Sequence, residues 1–266
     1  MKNRMPIILT TLLGLYFALC FLLSIFQERL IFHPKILSKD YKYKFENSFE
    51  ELNFKTADNK LINGLLFKAK NTKGLLFYLH GNAGALNTWG NVAQIYTPLG
   101  YDILIIDYRG YGKSEGKIES QEQIFNDNQF IYNQIIKQYK EEHITILGHS
   151  IGTGFASKLA SENNPKQLIL QAPYYSFTDL VQSKFPFIPS FILKYKLENN
   201  RYLKNCTMPI TIFHGKKDNV INFESSLKLK KENKNKIDLL LLEKQGHNDI
   251  ASSKKYLTEI QALLSQ

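Results

Sequence analysis

The chain reads as an α/β protein: a mostly parallel sheet of about eight strands with helices on both faces. Two observations predict this class. Six short runs, GLLFYLH (74–80), YDILIID (101–107), HITILGH (143–149), QLILQAP (167–173), MPITIFHG (208–215) and KIDLLLLE (236–243), are apolar and rich in β-branched or aromatic residues. Helix-like stretches separate them, near 86–97, 120–140, 151–163, 221–235 and 252–264. Continuous apolar runs suit strands buried on both faces, and helical crossovers join parallel neighbours. Two earlier stretches, 49–55 and 61–69, alternate more and are predicted to form an antiparallel hairpin at the sheet edge.

Ahead of the sheet, the segment 6–26 (PIILTTLLGLYFALCFLLSIF) carries no charge. About 21 residues at roughly 1.5 Å rise make a helix of about 31 Å, the thickness of a hydrocarbon core. Lys2 and Arg4 precede it, and Glu28 and Arg29 close it. A secretory signal competes with this anchor reading, but it wants a shorter apolar run and a small-x-small cleavage site. Ala18-Leu19-Cys20 is a poor version of that site, and the apolar run continues past it. The expected organisation is a membrane anchor at 1–28, a linker at 29–48 and a catalytic domain at 49–266. The side of the membrane stays open. Arg29, Lys35, Lys39, Lys42 and Lys44 after the span outnumber the cations before it, yet long domains often cross regardless of charge. The linker is basic and aromatic (Phe32, Tyr41, Tyr43, Phe45), and packing against the domain is preferred over lying on the bilayer.

Composition excludes several classes. In 266 residues, 44% hydrophobic and 22% charged describe a globular chain, neither disordered nor collagen-like. Cys20 and Cys206 are too few for a disulfide framework or a four-cysteine zinc site. The net charge of +10 is scattered, and its densest run, 228–236, is interleaved with Glu232, Asn233 and Asn235, as on a solvated helix face. No nucleic-acid partner is expected.

In an open parallel sheet, ligands bind beyond the carboxyl ends of the strands, so the residues just after each run matter most. Gly148-His149-Ser150-Ile151-Gly152 is a G-x-S-x-G sequence between a buried strand and a helical pattern. A sharp strand-to-helix turn lifts such a serine above the sheet edge, which makes Ser150 the candidate nucleophile. A serine hydroxyl needs a base, and the base an orienting carboxylate. His247 follows the last strand and Asp218 the one before it, giving the chain order Ser150, Asp218, His247. Asp179 is the reserve acid. Acyl transfer also needs donors for the oxyanion, assigned to the N–H of Ile151 and that of Asn82 in His80-Gly81-Asn82-Ala83-Gly84, with Ala83 as alternate. His80 and His149 are expected to hydrogen-bond the loop and the elbow rather than to react. Other glycine-rich text fails: the GKS at 112–114 lacks the first glycine of a phosphate loop, where Asp107 stands. No cofactor or metal is expected.

Taken together, HGNAG, DYRGYGKSEG, GHSIG, HGKKD and GHND, in this order, resemble the alpha/beta-hydrolase fold. With ERLIFHP just after the hydrophobic span, the chain is similar to the membrane-anchored hydrolase-domain-containing branch. The resemblance implies Ser150 as nucleophile, Asp218 as acid, His247 as base, and DYRGYG as a structural signature. Some animal relatives remove palmitoyl groups from proteins, while others cleave lipid esters or peptides, so the substrate does not follow from the fold. The segment 173–209 holds four prolines and many aromatics and is expected to form a small cap with an acyl pocket. The resulting expectation is a serine hydrolase of carboxylic esters or thioesters, or amides, with a hydrophobic acyl group. The rival is a membrane-tethered binding protein that keeps the fold without turnover.

Overall fold

The computed structural model describes residues 5–265; residues 1–4 of the expected anchor and Gln266 of the expected domain lie outside them. In chain order the elements are α1 (Met5–Ile31), β1 (His33–Pro34), β2 (Phe49–Lys55), β3 (Leu61–Phe67), β4 (Leu75–Leu79), β5 (Ala83–Gly84), α2 (Leu86–Trp89), α3 (Ala93–Tyr96) and β6 (Asp102–Ile106). There follow α4 (Gln121–Ile135), β7 (Ile144–His149), α5 (Gly152–Ser161), β8 (Gln167–Gln171), α6 (Phe177–Lys184), α7 (Asn199–Asn205), β9 (Ile210–Gly215), α8 (Glu224–Glu232), β10 (Ile237–Leu242) and α9 (Lys254–Ser265).

Among the described residues the main sheet has eight strands in the order β10-β9-β8-β7-β4-β6-β3-β2. The six predicted runs pair in parallel, and β2 and β3 form the antiparallel edge. Successive side chains on a strand face opposite sides. Along β4, Leu75, Phe77 and Leu79 enter one core with Phe155 and Ile146. Leu76 and Tyr78 enter the other with Phe213 and Tyr256. Both faces are therefore covered, which is why these runs are apolar throughout. The helical stretch expected at 86–97 breaks into α2, short 3₁₀ turns and α3 around Gly90, against which the Phe45 ring packs too closely for any side chain.

The span at Pro6–Ile31 has a mean hydropathy of 2.3 and none of its most apolar window is buried, so it is a candidate membrane anchor. The helix runs past the expected break at Glu28. It bends at Phe26 (φ −101°, ψ 16°) and continues to Ile31. Glu28 accepts hydrogen bonds from Lys194 and Tyr195, both at 3.2 Å, and so docks the last turn on the segment between α6 and α7. The linker packs rather than floats: Phe32, Leu37 and Tyr43 are buried, and β1 pairs in parallel with β5.

The DYRGYG segment is held by a buried ion pair. Arg109 Nε and Nη2 donate to both oxygens of Asp127, at 2.6 and 2.8 Å, from a side chain only 7% exposed. Removing one partner of such a pair strands a buried charge, at about 3 kcal/mol. Arg109→Ala is therefore expected to lower the unfolding free energy by about that amount. Denaturant unfolding of the two proteins checks it, and a difference under about 1 kcal/mol would reject the pair as a structural anchor.

Candidate active site

The carboxyl ends of β4, β7, β9 and β10 surround a cavity of about 310 Å³. Ser150 sits at its floor. Strand β7 ends at His149, and the chain reverses into α5 through Ser150 itself, whose φ is +53°. A non-glycine residue with positive φ is strained and persists only when its surroundings over-determine it. They do so here: the Ser150 N–H donates to Gln171 O of β8 at 3.0 Å, and Thr153 Oγ1 donates to Ser150 O at 2.6 Å. The flanking glycines are required by contact. A Cβ on Gly148 would lie 2.6 Å from Gly152 O and 2.7 Å from the Ala156 Cβ, and one on Gly152 would meet the Leu79 and His80 carbonyls.

His247, on the loop after β10, and Asp218, after β9, reach the same rim. Nε2 of His247 is 2.8 Å from Ser150 Oγ, and Nδ1 is 2.7 Å from Asp218 Oδ2. The carboxylate can only accept, so Nδ1 carries the proton and Nε2 presents a lone pair to the hydroxyl. The other oxygen of Asp218 accepts the N–H groups of Val220 and Ile221, both at 2.8 Å. Burial works against the charged form of Asp218. Hydrogen bonds from His214 and His247, with the Ile221 N–H, outweigh it and hold the carboxyl well below the usual carboxylate range.

His214 is a residue the sequence reading passed over. Its Nε2 lies 2.9 Å from Ile221 O and 3.2 Å from Asp218 Oδ2, while Ser226 Oγ donates to its Nδ1 at 2.7 Å. The ring therefore fixes the turn that aims Asp218. The motif HGKKD displayed this histidine, but only the fold shows what it touches.

The loop 80–84 passes over the elbow. Asn82 and Ile151 line the cavity, and their N–H groups donate to no hydrogen bond among the described residues. Asn82 is fixed from three sides. Its carbonyl accepts from Tyr111 Oη at 2.6 Å and His33 N at 3.1 Å, and its amide donates to Ile31 O, at the end of α1, at 2.7 Å. Asp179, the reserve acid, lies instead in the first turn of α6, where Lys228 binds both of its oxygens at 3.0 and 3.2 Å. It plays no part in orienting His247.

His80 bonds its own loop, with Nδ1 2.7 Å from Gly81 O. His149 does more than hydrogen-bond. Its ring packs between Trp89 and His247, each with its centroid 5.5 Å away, and its Nδ1 finds no partner among the described residues. The ring fills space beside His247, and a side-chain hydrogen bond with Gln171, whose carbonyl also holds the Ser150 N–H, ties it to the elbow. Burial first, and the neighbouring His247 imidazole second, hold the His149 pKa down to about 3. An unfolded chain takes up this proton below about pH 6.5, whereas the folded one refuses it until about pH 3, so acid favours unfolding in that window. Between pH 7 and pH 5, His149 is expected to remove about 2 kcal/mol of stability. Unfolding at both pH values, beside a His149→Gln variant lacking that part of the loss, tests this; parallel losses would discard it.

A protein-family profile described as Hydrolase_4, serine aminopeptidase, S33, matches residues 70–201. The alpha/beta hydrolase domain-containing protein 17B of Homo sapiens is 30% identical over 202 residues, covering 74% of this chain and 68% of that protein. The lysophosphatidylserine lipase ABHD12 of Danio rerio is 28% identical over 176 residues, covering 58% of this chain but only 46% of its own length. The Pyrococcus furiosus esterase Pf2001 superposes with a TM-score of 0.71 at 17% identity, over 88% of this chain and 97% of that one. At that identity the likeness speaks for the fold.

Proposed function

The chain belongs to the alpha/beta-hydrolase family, and from that premise we propose that it is a membrane-anchored serine hydrolase cleaving esters or thioesters of a hydrophobic acyl group. In this reading residues 1–28 anchor it, 29–48 link, 49–266 form the catalytic domain, and 173–209 cap the site. One observation carries the reading: the continuous hydrogen-bond chain Ser150–His247–Asp218 beneath two unspent backbone donors.

In the first half-reaction, His247 Nε2 takes the Ser150 proton as Oγ attacks the acyl carbonyl carbon. The N–H groups of Ile151 and Asn82 hold the resulting oxyanion, and Asp218 stabilises the imidazolium. When the tetrahedral adduct collapses, the bond to the leaving group breaks and the Nε2 proton goes to the departing oxygen or sulfur. Water then attacks the acyl-serine, His247 takes its proton, and Oγ departs with that proton, freeing the acid. The residues of this chain suffice for each step.

An ester or thioester is favoured over a peptide amino terminus by what lines the cavity. Phe177, Leu180, Val220, Ile221, Tyr174 and Trp89 surround Ser150, and no carboxylate stands among the lining residues to receive an ammonium group. The relative named for lysophosphatidylserine lipase chemistry supports the same choice. Labelling of the full chain with a fluorophosphonate, lost in Ser150→Ala, tests the proposal; a variant that still labels would refute the nucleophile.

A further inference from the structure

The cap contains a charge-free run, 185–193 (FPFIPSFIL), bracketed by Lys184 and Lys194. Its aromatic rings are uncovered: Phe185, Phe187 and Phe191 are 48%, 57% and 85% exposed, the first two also lining the chamber against α1. The run lies along α1, and polar side chains of that helix serve its backbone. Tyr16 Oη donates to Phe187 O at 2.8 Å, Gln27 Nε2 donates to Ile192 O at 2.7 Å, and Gln27 Oε1 accepts from Lys194 N at 2.9 Å. Water would satisfy these backbone groups unaided. In hydrocarbon nothing else does, so irregular backbone beside an apolar helix needs such partners. Tyr16 also stands midway along the uncharged segment 6–26, which places the Phe187 carbonyl at hydrocarbon depth once α1 spans the bilayer.

Between the run and the helix is an apolar chamber of about 490 Å³, walled by Leu19 and Leu23 of the span and by Val181, Ile188 and Leu193 of the cap. Phe177 belongs to this wall and also to the wall of the cavity beside Ser150. The chamber is within the size of small-ligand sites. It has room for little more than one turn of a partner helix about 10 Å across. Sharing the Phe177 wall with the cavity that holds the nucleophile selects an acyl chain as occupant.

We propose that the cap run inserts into the bilayer, and that the acyl chain of a membrane-held ester or thioester enters sideways through this chamber, past Phe177, to bring its carbonyl to Ser150. The proposal rests on the reading of Ser150 as nucleophile and deepens it by naming a long-chain substrate held in the membrane.

The test uses the full chain in phosphatidylcholine vesicles, with p-nitrophenyl palmitate and p-nitrophenyl butyrate as probes. Leu23→Trp plugs the chamber from the helix side and Val181→Trp from the cap side. Each is expected to lower the palmitate-to-butyrate ratio of kcat/KM at least tenfold, since each methylene withdrawn from an apolar site forfeits about fourfold. A Phe187→Trp variant reads insertion directly. Brominated lipid should quench its added fluorescence, while Trp89, the single native tryptophan, supplies the background. An unchanged ratio in the folded variants, or fluorescence indifferent to brominated lipid, overturns the doorway. So does a dimer in which a second copy fills the chamber and shields it from lipid. Retained hydrolysis of both esters by Ser150→Ala would defeat the nucleophile instead, and a dead Ser150→Ala with an unmoved ratio defeats only the doorway.

Discussion

Ser150→Ala is expected to lower kcat/KM for a scissile acyl ester by about 10⁵-fold, a loss of about 7 kcal/mol of transition-state stabilisation. The size follows from what disappears. Without Oγ no acyl-enzyme forms, and the lone pair on His247 Nε2, now 2.8 Å from nothing, has only water to activate. The backbone donors at Asn82 and Ile151 and the apolar lining remain, and in comparable enzymes these sustain a residual rate above that of water. Steady-state hydrolysis of a p-nitrophenyl ester decides it: a loss below about a hundredfold would leave the chemistry to another group. Alanine also relaxes nothing in the fold, because the positive φ is held by Gln171 O, to which any residue's N–H donates.

Asp218→Asn comes second, with an expected fall of about 10⁴-fold in kcat and little change in structure. The reason lies in the donor bookkeeping of the turn. One carboxylate oxygen accepts two N–H groups, so an asparagine there must keep its carbonyl on that side. Its NH₂ then faces Nδ1 of His247 and the Nε2–H of His214, where Asp218 presents an acceptor. His247 answers by moving its proton to Nε2, and a protonated Nε2 cannot accept from the serine. Kinetics with the folded variant check the magnitude, and the nitrogen shifts of the imidazole check the tautomer. An Nδ1–H tautomer with near-normal kcat would contradict this account.

Much of this was legible in the chain before any coordinates. The strand at 143–149 emerges as Ile144–His149, and the hairpin at 49–55 and 61–69 as Phe49–Lys55 and Leu61–Phe67, because apolar runs and alternation are local properties. Ser150 was visible for the same reason, since the G-x-S-x-G spacing is local, although Gln171 O and the Leu79 and His80 carbonyls complete its turn. Asp218 and His247 were readable by position, each just beyond a strand whose end had to lie on one rim. What escaped notice depends on distant partners. No local pattern joins His214 to the Ile221 carbonyl, Asn82 to Ile31, or Gln27 to Ile192. The sequence also does not show that the His149 ring packs between Trp89 and His247. The extension of α1 beyond Glu28 escapes the sequence because Glu28 and Arg29 end an apolar run without ending a helix.

The tie between Asn82 and Ile31 makes the candidate membrane anchor a mechanical neighbour of the loop over Ser150. If that helix spans a bilayer, a tilt imposed by lipid thickness reaches Asn82 within the loop over the elbow rather than dissipating in a slack tether. A protein trimmed through Ile31 for the sake of solubility severs that leash, and its turnover numbers describe a looser catalyst than the one the cell makes.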